Sequence, residues 1–145
     1  MIARGRTLTT SDITKELLSR LGTGSTASDI AKLFGEACEW NIPGDKTAFP
    51  WIGKMKGREA VESFVRDTRL LLEPILFDVQ GVITNEERGV ILGYLESRVR
   101  ATSKIIKTSF AIILTVAEDQ ITSFTMLEDS FAVSSAAKEL MLRKD

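Results

Sequence analysis

The chain has 145 residues, a formal charge of -1, no histidine, one cysteine and three prolines. At this length one compact domain is expected, burying roughly 70% of its unfolded surface. Without histidine there is no Ser-His-Asp or Cys-His machinery and no imidazole ligand, so any chemistry falls to carboxylates, tyrosine, lysine or arginine, and neither metal nor cofactor is expected.

The 19 basic against 20 acidic residues give no positive excess for phosphates, so nucleic acid is not an expected partner. Cys38 alone forms no internal disulfide and fits a reducing compartment, and its simplest role is packing. No apolar run reaches the roughly 20 residues of a membrane helix, and the N-terminus has no signal-peptide core. A soluble cytoplasmic protein without membrane partners is the expectation.

Residues 1–10 read as a flexible arm. Thr10, Ser11 or Asp12 can cap a helix in which Ile13, Leu17, Leu18 and Leu21 recur at helical spacing until Gly22. After a Gly/Ser/Thr turn, Ser28 or Asp29 caps a short second helix reaching Phe34 or Cys38. A strand over 39–42 ends at Pro43-Gly44, and a long connection over 45–56 carries Phe49 and Trp51. In the segment 57–73, Val61, Phe64, Val65, Thr68, Leu71 and Leu72 form one stripe of a third helix, which stops before Pro74.

Beyond Pro74 the period changes to two. Strands are predicted over 75–83, 89–102, 104–117 and 120–128, with hairpin turns at 85–89 and 117–120. Helices followed by a long antiparallel meander give the α+β class, with the helices on one sheet face. Residues 11–137 form the domain and 138–145 a C-terminal tail. The glycines and bases of 53–58 lack the spacing of a phosphate-binding loop.

The words IAKLFGEACEWNIPGDKTAFPWIGKMKGREAVESF and ITSFTMLEDSFAV, in this order, resemble the SnoaL-like branch of the nuclear transport factor 2-like superfamily over about residues 12–137. The resemblance implies a cone in which a strongly curved antiparallel sheet wraps around three N-terminal helices and leaves a deep, mostly apolar cavity. It also implies homodimers through the outer sheet face. It fixes no reaction, because the superfamily holds isomerases, cyclases, epoxide hydrolases and pure binding proteins.

The groups of ketosteroid isomerases are replaced here by Ile42, by Leu18 and by Ala111 or Ile112. Of the set used by limonene epoxide hydrolases only Arg98 remains, since its partner acid is Arg100 and the last-strand acid falls near Met126. Tyr94, Glu96 and Arg98 share one strand face. If register follows the hydrolases, that face looks into the cavity and Glu96, held by Arg98, can position a water or a proton; otherwise it is a solvated outer face, whose ion pairs are worth roughly 0–1 kcal/mol each.

Glu128 or Asp129 stands where SnoaL-like cyclases keep a catalytic acid, with a cap on the closing turn as the structural alternative. Trp40, Trp51, Phe64, Tyr94, Phe110, Phe124 and Met126 are the candidate ligand-binding residues, against a reading of most of them as ordinary core. Ile91, Leu95 and Val99, opposite Tyr94, form apolar surface that a second copy is expected to cover. The expected function is binding of a small apolar molecule of polyketide, terpenoid or steroid-like kind, with carboxylate acid/base chemistry of isomerase, cyclase or hydrolase type. The alternative is a non-catalytic ligand-binding or dimeric scaffold protein.

Overall fold

The computed structural model describes residues 8–138. The reading of 1–7 as part of an arm, and of 139–145 as tail, lies outside these residues. Helix α1 (Thr10–Gly22) is capped one residue earlier than predicted: the Thr9 hydroxyl accepts from the Asp12 amide while the Thr9 amide donates to the Asp12 carboxylate, each at 3.0 Å. Its buried Ile13 and Leu17 join the core. Gly89 is required beneath it, because a Cβ there would lie 2.3 Å from Thr14 Oγ1.

Helix α2 (Ala27–Ala31) is capped by Thr26 and ends before Phe34. The predicted continuation to Phe34 or Cys38 fails because those residues are already in strand β1 (Phe34–Ile42), where pairing with two neighbouring strands outweighs local helix propensity. Strand β2 (Gly53–Lys56), inside the predicted connection, pairs antiparallel with β1, Trp40 opposite Met55. Helix α3 (Arg58–Leu71) passes straight into strand β3 (Leu72–Thr84). Strands β4 (Arg88–Val99), β5 (Ile105–Ala117) and β6 (Gln120–Glu128) complete the meander, and helix α4 (Ser130–Ala137) follows.

The six strands lie in the order β2-β1-β6-β5-β4-β3. All pairs are antiparallel except β1 with β6, so the sheet is mixed at that one seam. Register irregularities at Pro74/Leu76 and Val79/Gly81 in β3, and at Thr115/Val116 in β5, bend the long strands. Ile91, Leu95 and Val99 of β4 lie on the inner face and share one core with Ile13 and Leu17 of α1 and Val61 and Val65 of α3. The apolar surface expected to need a second copy is therefore covered by the chain's own helices. Among the described residues no helix is long and apolar enough to cross a membrane.

Candidate functional site

Two groups of rings occupy the inner face. In the first, Trp40 stacks on Phe124 with centroids 4.1 Å apart and planes 4° apart, and lies 4.9 Å from Phe64. Trp51 stacks on Phe49 at 4.6 Å and meets Phe64 edge-on at 6.1 Å. Trp40, Trp51, Phe124 and Met126 are buried and Phe64 is partly buried, so these candidate lining residues pack against one another in the core. Offset and tilted ring pairs of this kind contribute about 0.5–1.5 kcal/mol each beyond their burial. Among the described residues the Trp40 indole Nε1 has no hydrogen-bond partner.

The second group sits further along the sheet. Phe110 is buried and stacks on Phe77 at 5.0 Å with planes 15° apart. Its ring occupies the space above Gly93, the residue opposite it on β4, where a Cβ would come within 2.5 Å of Phe110 Cζ. Phe77 remains 48% exposed and Val79 is also exposed, so this end of the inner face is open to solvent.

On the other side of Phe110, directly opposite it on β6, stands Glu128. Strand parity explains its direction: Phe124 and Met126, two and four residues before it, are buried on the same face. Glu128 has no hydrogen bond or ion pair to any described residue and retains partial access to water. Burial among apolar neighbours pushes its carboxyl up from 4.5 to about 7.

Asp129 has left the strand and does different work. Its carboxylate accepts from the Ala132 amide at 3.1 Å, capping α4, while its own amide donates to Thr108 Oγ1 at 2.8 Å. The two adjacent acids thus divide into a helix cap and an unpaired carboxylate on the inner face. Asp45, in the connection after β1, accepts from Thr47 and from Ser134 of α4, and these bonds hold its carboxyl down at about 2.

Tyr94, Glu96 and Arg98 do not face the cone. Register aligns them with Asp78, Leu76 and Glu73 on one side and Ser109, Lys107 and Ile105 on the other, all on the outer face. The parity carried over from the hydrolase match is reversed, because Gly93 must face inward to admit the Phe110 ring. Tyr94 Oη donates to Glu96 at 2.7 Å, which raises the phenol's pKa, and Arg98 pairs with Glu73 at 3.3 Å and donates to the Ser103 carbonyl. This group is separated from Glu128 by the thickness of the sheet.

Two surface clefts lie elsewhere. One of about 300 Å³ is lined by Glu36, Lys56, Gly57, Arg58 and Glu59 at the start of α3, and one of about 590 Å³ lies between Thr9, Thr10, Asn85, Glu86, Glu118 and Asp119. Neither includes Glu128. Among the described residues no three acidic, cysteine or histidine side chains gather closely enough to hold a metal ion. Phe77 could be read from the sequence as one of the aromatic residues able to line a cavity, whereas Thr108, which holds the Asp129 amide, was missed.

No family model and no curated protein matches the sequence. Solved structures do. A protein from Burkholderia xenovorans LB400 described as nuclear transport factor 2-like shares 22% identity, covers 89% of this chain and 95% of its own, and superposes with a TM-score of 0.79.

The fold is nuclear transport factor 2-like.

Two further solved structures share the fold. One is a protein with a ketosteroid isomerase-like fold from Catenulispora acidiphila, in complex with trimethylamine, at 17% identity, 89% and 94% coverage and a TM-score of 0.70. The other, from Mesorhizobium loti, is described as a SnoaL-like polyketide cyclase, at 17% identity, 82% and 98% coverage and a TM-score of 0.68.

Proposed function

We propose that the chain binds a small, largely apolar molecule against the open end of the inner face, and that Glu128 meets the polar group of that molecule. The observation that carries this reading is a carboxylate without a partner among the described residues, set beside the buried Phe110, on which the half-exposed Phe77 stacks. Burying an unpaired acid has a cost in stability, and a ligand that completes its interactions offsets it. The body of such a ligand matches the polyketide, terpenoid or steroid-like class, whose flat apolar skeletons suit a wall of rings.

A group that titrates near 7 can also give or take a proton at neutral pH. Isomerase- or cyclase-type proton transfer by Glu128 alone is therefore the catalytic extension of the same reading. The outer-face Glu96 and Arg98 have no part in it, and Asp129 is engaged as a cap.

Methyl NMR with a panel of apolar fragments tests the binding reading. Shifts are expected at Met126 and Val79. Shifts confined to the outer-face Leu92 and Leu127 would overturn it.

The expected homodimer is proposed on new grounds. Leu92, Ala111 and Leu127 form a cross-strand row on the outer face, with Leu92 and Leu127 exposed. Sedimentation at micromolar concentration should show a dimer that Leu127→Arg dissociates; a wild-type monomer contradicts it.

A further inference from the structure

The charge of the ligand can be read from what surrounds Glu128. Its neighbours across and along the inner face, Met126, Thr108, Phe110, Ile112 and Gly93, carry no charge. Among the described residues, two cations of the adjoining elements are engaged elsewhere: Lys104 Nζ donates to the carbonyls of Ser135 and Lys138, and Lys138 Nζ lies 3.7 Å from Asp45; the carbon chain of Lys46 lies along Gly53, and Lys46 makes no ion pair with Glu128. Lys107 and Arg98 are on the opposite face of the sheet. The nearby acids are also held, Asp129 by the amide of Ala132 and Asp45 by Thr47 and Ser134.

Among the described residues no cation pairs with the carboxylate, whose neighbour across the ladder is Phe110, the buried member of a ring pair whose outer member, Phe77, is open to water. A carboxylate beside aromatic faces is the donor set for an organic cation: the acid supplies the opposite charge, and the ring quadrupole attracts the same positive group. An anion would be repelled by the same arrangement. A neutral hydrogen-bond acceptor would need the protonated acid instead, so its binding would weaken as the pH rises.

We propose that the molecule bound at Glu128 is an organic cation, an ammonium group on an apolar body, with Glu128 as its counter-charge and the Phe77–Phe110 pair as its aromatic wall. This rests on the occupancy of the inner face proposed above and adds the ligand's charge. In this arrangement Glu128 acts as an anchor. Because the cation binds the ionised carboxylate, binding strengthens as the pH rises through the titration of Glu128, and it releases a proton when it occurs below that range.

Calorimetric titration with three probes of similar size separates the possibilities: benzyltrimethylammonium, whose charge is permanent, neutral N-benzylacetamide, and anionic phenylacetate, each at pH 5.5 and 8.5. The cation is expected to bind about tenfold or more tightly at the higher pH, following the ionised fraction of Glu128, and the other two are not. Glu128→Gln should remove both the pH dependence and the preference. Phe77→Leu, at a half-exposed position that leaves the core intact, should weaken the cation several-fold and spare the amide.

If the amide binds as well as the cation and weakens above pH 7 in a Glu128-dependent way, the cationic assignment is wrong while the ligand site stands. Cation binding indifferent to pH and to Glu128→Gln also overturns the assignment. If none of the probes binds or moves the Met126 and Val79 methyl signals, the underlying reading fails with it.

Discussion

Replacing Glu128 by Gln keeps the shape of the side chain and removes its titration, so it isolates the cost of a carboxylate on the inner face. In the folded chain the group titrates near 7, against an ordinary value of 4.5. A raised value means that the stability tied to the neutral acid is fully present below the unfolded pKa and is lost as pH rises through the folded one. At 1.36 kcal/mol for each tenfold change in proton affinity, the ceiling is about 3 kcal/mol, and the partial access of Glu128 to water brings the expected difference to about 2 kcal/mol.

Urea unfolding of wild type and Glu128→Gln at pH 5, 6, 7 and 8, with the slopes held comparable, measures this. The variant should gain relative to wild type between pH 5 and 8, by about 2 kcal/mol, with most of the change complete by pH 8. Groups common to both proteins cancel in the difference, and Asp45 titrates well below the window. A difference that stays flat from pH 5 to 8 would refute the desolvation of Glu128, and with it the premise that its carboxylate lacks a partner.

Asp129→Ala should remove the cap of α4 and lower stability by about 1 kcal/mol in the same assay, without the pH dependence of Glu128→Gln. Gly93→Ala places a methyl against the Asp78 carbonyl at 2.4 Å and Phe110 Cζ at 2.5 Å, and should cost about 1–3 kcal/mol while shifting the Phe77 and Phe110 ring signals in NMR spectra. Asp45 has a lowered pKa, so its contribution is present above its ordinary 3.8 and is lost as pH falls through about 2; Asp45→Asn should destabilise at pH 6 and match wild type near pH 1.5, as followed by thermal melts.

The α+β class and the four long strands were legible because each strand alternates over nine or more residues, which a single-sequence pattern records well. Strand β2 was hidden because Gly53-Lys54-Met55-Lys56 is only four residues long, too short to establish a period, and becomes a strand only by pairing with β1. Helix α4 was missed for a related reason. Its sequence SFAVSSAA has little amphipathic pattern, and it is fixed by the Asp129 cap together with bonds from Thr102 and Lys104 to its last carbonyls.

The site divides along the same line. That Glu128-Asp129 mattered could be read from position, but which acid faces inward depended on where β6 ends, a boundary set by the Thr108 hydroxyl holding the Asp129 amide. The direction of Tyr94, Glu96 and Arg98 depended on Gly93 lying beneath Phe110, a contact between strands that neither local pattern reveals.

The parallel seam between β1 and β6 joins strands far apart in the sequence, with Trp40 opposite Phe124. Until β6 is in place, β1 and β2 form a hairpin with no hydrogen-bonded link to the β3–β5 meander. During synthesis the halves therefore wait for the last strand, and the loop-closure cost of that long separation falls on one late event. Trp40 is positioned to report that event, because its stacking on Phe124 requires the seam to have closed.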